Sequence, residues 1–284
     1  MILAKLEKYW KIWMMLPIAF LVISIGILVY NTMSTGFIMQ RDIELSGGKM
    51  ITIEVINPDI QKITAAIPYA NVRLTTGATK SLLIEIPFDA DEKKALDDIK
   101  NAVEMKGEPS IRTIGPALGN VFFQQAQLAI VIAFIFMAVT VFILFRSFMP
   151  STIILLAATT DIVGSMVIIS ILGIKFSLPV LAALLTLIGY SVDTDILLTS
   201  ELLKSGRSDF RQSIKRAMKT GLTMTFTTLA ALFALYFVSG SFVIEQIAFV
   251  LIVGLLIDIP ATWLTNAGLM RWHLERLEKK GEIK

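Results

Sequence analysis

Four aspartates, Asp161, Asp193, Asp195 and Asp258, fall inside long apolar runs of this 284-residue chain. No Lys or Arg lies in the interior of any of those runs; Arg146 and Lys219 stand at edges. A charge at the centre of a bilayer costs at least ~2.5–3.5 kcal/mol on insertion scales. Such a carboxyl must be paired, solvated by a cavity, or protonated. With no base in reach, at least some of the four are expected to hold their proton at rest. A carboxyl that loads and releases a proton as a water path opens is the working part of a proton relay. Glu245 is a fifth acid, nearer the start of its run.

At ~100° per residue, Asp193 and Asp195 point about 200° apart on one helix. They cannot both face one cavity. Asp193 shares its face with Ala182, Thr186, Gly189 and Ser200, a small and polar stripe suited to close helix contact. Asp195 shares its face with Ser191, Leu198, Thr199 and Leu202. The reading favours Asp193 as the functional carboxyl. Asp195 then pairs with another subunit or lies nearer the interface. Thr220, Thr223 and Thr227 share a face of the following run and are placed to hydrogen-bond across to Asp193. The competing reading has each threonine bonding its own i−4 carbonyl. For Asp193, Asp161 and Asp258 the bland alternative is a satisfied hydrogen bond between helices.

The elements that must position these residues follow from composition. The chain is 55% hydrophobic and 17% charged. Its apolar runs recur at about 20 residues, long enough to cross a ~30 Å hydrocarbon core. The expected spans are 12–30, 126–145, 151–174, 178–203, 220–238 and 242–270. Tyr9, Trp10 and Trp13 supply an aromatic belt beside the first. That first run is too long for a signal-peptide centre and reads as a retained span. The expected segments are 1–30, an N-terminus with the first span; 31–125, a polar domain; 126–270, five further spans; and 271–284, a tail. Lys and Arg concentrate before the first span, between 204 and 219, and in the tail, so both termini are expected to be cytoplasmic. The polar domain then faces outward.

Within that domain Lys49–Ile56 alternates, with Ile51, Ile53 and Val55 on one face, and reads as a strand. Asn57-Pro58 opens a short helix over Asp59–Ala66. Asn71–Thr76 and Ser81–Ile86 read as strands joined by a turn at Gly77-Ala78-Thr79. Asp89 caps a helix from Ala90 to about Met105, and Ser110–Ile114 is a fourth strand. The order βαββαβ is the split βαβ of ferredoxin-like domains. Ser46-Gly47-Gly48 marks a bend or close backbone approach before the first strand. Ile114 to Gly119 reads as a linker or hinge.

There is no cysteine and one histidine, His273, so Cys/His metal sites lack ligands and no cofactor is expected. No Ser/His/Asp set or paired outer carboxylates suggest an enzyme. The basic 204–219 segment, adjacent to spans, reads as topology-setting charge and anionic lipid contact rather than a nucleic-acid site.

Leu45-Ser46-Gly47-Gly48, Gly115-Pro116-Ala117-Leu118-Gly119 and Gly189-Tyr190-Ser191-Val192-Asp193, set in one span, an outer domain and five spans, resemble the SecD/SecF family of protein-export membrane proteins. The Gly-Tyr-Ser followed by Asp, and the single small outer domain, point to its SecF branch. The resemblance implies a partner SecD, a neighbouring SecY-type channel, an unfolded exported polypeptide as cargo, and use of the proton gradient in late export. It also implies spans like those of resistance-nodulation-division exporters. Two positions depart from the bacterial pattern. There the span-four carboxylate falls at the position of Thr194, and an arginine stands at that of Thr220. The Val-Asp-Thr-Asp form is similar to archaeal members. Two other readings follow from the residues: a structural partner of the channel without proton flux, and a small-molecule exporter of the related fold.

Overall fold

The computed structural model describes residues 9–55, 63–64, 67–76, 80–102, 107–205 and 210–280. Six helices are long and apolar enough to cross a membrane. They are α1 (Trp10–Thr35), α4 (Pro116–Phe145), α5 (Phe148–Ile171), α6 (Leu178–Ser205), α7 (Phe210–Val238) and a last helix that begins as α8 (Phe242–Pro260). That last helix continues through a π-helical stretch, Ala261–Asn266, into α9 (Ala267–Lys279). Pro260 has no N–H to give to the preceding turn, and the widened turn follows it directly. α5, α6 and α8 carry the buried centre of the bundle, with Ile154, Ala158, Leu184, Leu187, Ala248 and Val250 nearly inaccessible.

Between α1 and α4 lie a short helix, α2 (Ile43–Ser46), a sheet and α3 (Glu92–Ala102). The strands are β1 (Gly48–Glu54), β2 (Asn71–Thr76), β3 (Lys80–Ile86) and β4 (Ser110–Ile114). They pair in the order β2-β3-β1-β4, each pairing antiparallel. β1 and β2 therefore run in one direction with β3 between them, and β3 and β4 in the other with β1 between them. Ile51, Ile53 and Val55 point into a core with Leu82, Ile84, Ala95 and Ile99, as the period-2 and period-4 patterns require. The expected helix over Asp59–Ala66 and the turn at Gly77-Ala78-Thr79 fall mostly or wholly outside the described residues.

Three expectations are corrected. α3 starts at Glu92, and its first-turn N–H groups of Lys93 and Lys94 donate to Asp91 Oδ1, so Asp91 and not Asp89 is its cap. The segment 115–119 is no hinge. Gly115 precedes α4 and Pro116 opens it, where a missing N–H costs nothing. Most of the basic segment 204–219 is also helical, since α6 runs to Ser205 and α7 begins at Phe210.

The sheet is clasped to the spans at the turn between α5 and α6. Phe176 N–H donates to Gln40 O, and Asp42 N–H donates to Phe176 O. Lys175 pairs with the buried Glu85 of β3, which Arg73 approaches to 3.7 Å. Leu178 N–H, at the start of α6, donates to Glu44 Oε2 at 3.2 Å. Asp42 caps α2 through Ile43 N–H at 2.7 Å. Burial first, and the Glu85 carboxylate second, push Asp42 up to about 7. The folded chain therefore binds this proton more tightly than the unfolded chain. The stability it confers is full below the ordinary aspartate range and is lost as pH rises through about 7. Asp42→Asn, which keeps the cap, is expected to flatten the fall in thermal stability between about pH 5 and 8. A pH profile unchanged in the variant would refute the assignment to Asp42.

Candidate functional site

Three of the four intramembrane aspartates meet. Asp161 of α5 and Asp195 of α6 are fully buried, and Asp258 of α8 is 1% exposed. Three helices thus each deliver one carboxyl to a single point. Asp161 Oδ2 accepts from Ser191 Oγ at 2.5 Å, and Ser165 Oγ donates to the Asp161 backbone carbonyl. Asp161 and Asp258 meet across α6, where Ser191 bonds the first and Thr194, three residues on, approaches the second. Thr194 Oγ1 is 3.4 Å from Asp258 Oδ2, sharing its proton with the carbonyls of Tyr190 and Ser191.

The π-helical stretch supplies the rest. Thr262 Oγ1 lies 2.8 Å from Asp195 Oδ1 and 3.1 Å from Asp258 Oδ1. A hydroxyl has one proton, so it donates to one carboxylate at a time. The second contact is filled when the other carboxyl is protonated and donates to the hydroxyl. Asn266 Nδ2 donates to Asp195 Oδ1 at 2.6 Å. The groups run in one connected file: Ser191, Asp161, Asp258, Thr262, Asp195, Asn266. Asp161 Oδ1, Asp195 Oδ2 and Asn266 Oδ1 are buried without a hydrogen-bond partner. The ion pairs found among the described residues lie elsewhere, such as Arg216 with Glu201 and Arg271 with Glu275. The arrangement can hold, share and pass protons. It offers no nucleophile–base pair, and no group of three or more metal-ligating side chains occurs among the described residues.

The structure encloses Asp195, whereas the sequence favours Asp193 as the functional carboxyl. Asp193 is exposed on the outer face of α6, with Ala182, Thr186, Gly189 and Tyr190. Asp195 is neither at an interface nor turned toward another subunit; it faces inward with Ser191, Leu198, Thr199 and Leu202. The 200° separation is present, but the small, polar stripe is the outward face within this chain. Thr220, Thr223 and Thr227 are exposed on α7. Thr223 and Thr227 donate to the carbonyls of Lys219 and Thr223, their own i−4 partners, at 2.6 and 2.9 Å. The sequence reading missed Thr262, Asn266, Ser165 and Thr194. Asp258, Thr262 and Asn266 recur every four residues in an apolar helix, a polar stripe that marks them.

Gly47 and Gly119 also meet. A Cβ on Gly119 would fall 2.6 Å from Gly47 N and 3.0 Å from the Ser46 carbonyl carbon. A Cβ on Gly47, at φ +84°, would fall 2.6 Å from Pro116 Cα. The two glycine motifs therefore form one backbone-to-backbone contact between α2 and the start of α4. Gly48 (φ +154°) follows with its own crowding against Ile43 and the Ile86 carbonyl.

A family model described as "Protein export membrane protein SecD/SecF, C-terminal" matches residues 93–276. The SecF protein-export membrane protein of Pyrococcus furiosus is 36% identical over 269 residues, covering 93% of this chain and 91% of its own length. That of Methanocaldococcus jannaschii is 36% identical over 284 residues, covering 96% and 99%. Among solved structures, SecDF of Thermus thermophilus, described as a translocon-associated membrane protein, superposes with a TM-score of 0.76 at 20% identity. The match covers 93% of this chain, which spans 38% of that longer chain, and it shows a shared fold. Matches of this extent, over both the polar domain and the spans, show that the chain belongs to the SecD/SecF family of protein-export membrane proteins, in its SecF branch.

Proposed function

We propose that this chain is an accessory subunit of a protein-export translocase, working with SecD beside a SecY-type channel and using the proton gradient to promote passage of unfolded polypeptide. Its termini lie in the cytoplasm and its sheet domain outside the cell membrane. The sheet order, with its three antiparallel pairings, supports reading that domain as ferredoxin-like. The observation that carries the proposal is the meeting of Asp161, Asp195 and Asp258 at the centre of the bundle, joined by hydroxyls and by no cation among the described residues. Protons enter this file from one side and leave to the other as the bundle changes shape.

Asp193 has a different part. A carboxylate facing lipid is costly, so the outer face of α6 needs a cover. We assign that cover to SecD, with Gly189 and Ala182 allowing close approach and Tyr190, Thr220, Thr223 and Thr227 at the contact. The exporter reading requires an aromatic-lined pocket between sheet and spans. The cavity there, about 290 Å³, is lined mainly by groups such as Asp42, Glu44, Ser110 and Arg112, with Phe242 its one aromatic.

The test compares two substitutions in vesicles containing the channel, SecD and this chain. Asp195→Asn is expected to lose gradient-stimulated export. Asp193→Asn is expected to keep it once the complex has formed. Normal stimulation in both variants would leave a scaffold that conducts no protons, and the opposite ordering would move the relay to Asp193.

A further inference from the structure

At the end of the bundle that carries the chain termini, α1, α7, the π-helical stretch and α9 surround a cavity of about 270 Å³. Its wall is aromatic and aliphatic, with Trp10, Trp13, Trp263 and Phe210 prominent, and Arg211 and Arg271 are its charged residues. Arg271 is held in place. Its Nε donates to Glu275 at 3.2 Å, and its guanidinium lies 5.2 Å from the Trp10 ring centroid and 5.7 Å from that of Phe210. Lys11 adds a further cation, 5.7 Å from the Trp10 centroid. Helix rise orders these groups by depth. Arg211 sits in the first turn of α7 and Arg271 in the charged part of α9, while Trp263 stands eight residues before Arg271 along its helix, roughly 12 Å deeper at ~1.5 Å per residue.

We propose that this cavity binds one anionic phospholipid, its phosphate between Arg211 and Arg271 and an acyl chain along Trp263 and Trp13. The charge gradient of the site matches such an amphiphile end to end: cations where the headgroup layer lies, and an aromatic slot where hydrocarbon lies. Basic pockets between spans hold acidic headgroups in this way. A protein segment would need to bring an acid to the rim and an apolar side chain to the floor from within the bilayer. A zwitterionic headgroup would bring its own cation against Arg211, Arg271 and Lys11. The proposal is independent of proton transfer.

The test uses the full chain in phosphatidylcholine vesicles and reads tryptophan quenching by lipids brominated on the acyl chain. A Trp272→Phe background leaves Trp10, Trp13 and Trp263 as the indoles. Brominated phosphatidylglycerol is expected to quench at an apparent affinity about fivefold above brominated phosphatidylcholine. Arg211→Gln with Arg271→Gln is expected to reduce that ratio to near one, and the paired lysine substitutions to retain most of it. Excess inorganic phosphate is expected to leave it unchanged. Equal quenching by the two lipids in the unsubstituted cavity overturns the proposal, and needs no variant that might fail to insert. Displacement of the lipid preference by inorganic phosphate also overturns it, leaving a simple anion site.

Discussion

Asp258→Asn is expected to reduce gradient-stimulated export by at least ~10-fold, since a positioned proton-transfer group is typically worth two orders of magnitude or more. Asparagine keeps the size of the side chain and its capacity to bond Thr262 and Thr194, so the bundle is expected to assemble with SecD as before. What is lost is the middle member of the file. Asp258 stands beside Asp161 across Ser191 and Thr194, and reaches Asp195 through Thr262. With an amide there, a proton on Asp161 has no acceptor to move to. The double variant Asp195→Asn, Asp258→Asn is expected to be no worse than either single, because groups acting as one unit are non-additive. Export measured with and without an imposed gradient decides the matter. Single losses that multiply in the double variant would show that the aspartates act separately. A loss equal with and without the gradient would show that the substitution damages packing alone.

Gly119→Ala is expected to destabilise the chain by about 3 kcal/mol, the upper range for overpacking, because the clash is with backbone that cannot rotate away. The offending atom is the Cβ itself, so alanine already contains the conflict, and larger residues are expected to be no better. Gly47→Ala meets Pro116 backbone and also forces a left-handed φ of +84° on a residue with a side chain. Both lie far from the aspartates, and their effect is expected in thermal unfolding and protease resistance of the polar domain. Alanine at 119 with an unchanged melting temperature would show that α2 moves aside freely.

Much of this was legible in residue types and spacing. Period-2 alternation in Lys49–Ile56 gave a strand with the right buried face, because burial on one side of a sheet leaves that trace. The spans were legible because hydrocarbon demands long apolar stretches. Their ends were not. α4 begins ten residues before its apolar run and α7 ten residues before its own, since a helix continues into water as long as propensity and capping allow. Which of Asp193 and Asp195 is enclosed was not legible for a related reason. In a soluble helix a small, polar stripe and a large apolar stripe separate outside from inside. In a membrane both faces are apolar, and small residues signal close contact without saying with what. The helical angle separated the two carboxyls correctly, and only the positions of α5 and α8 reveal which one is enclosed. Gly47 and Gly119 were each weak signals, and their meaning appears once seventy residues of intervening chain are folded between them.

The π-helical stretch from Ala261 to Asn266 sets how this helix tolerates changes of length. A π turn is an α-helix carrying one additional residue, absorbed locally. Removing one residue there would let the helix revert to ordinary winding and leave everything beyond it facing nearly as before, whereas removing one from a regular turn of α8 or α9 would rotate everything beyond it by about 100°. Arg271 would keep its side of the helix beside Trp10, while the widened turn that brings Thr262 and Asn266 to Asp195 would be lost. Substitutions at Thr262 or Asn266 remove the contacts of that one side chain. A single-codon deletion within the π turn therefore strikes the carboxyl file and spares the facing of the aromatic cavity, whereas one in the flanking turns rephases everything beyond it.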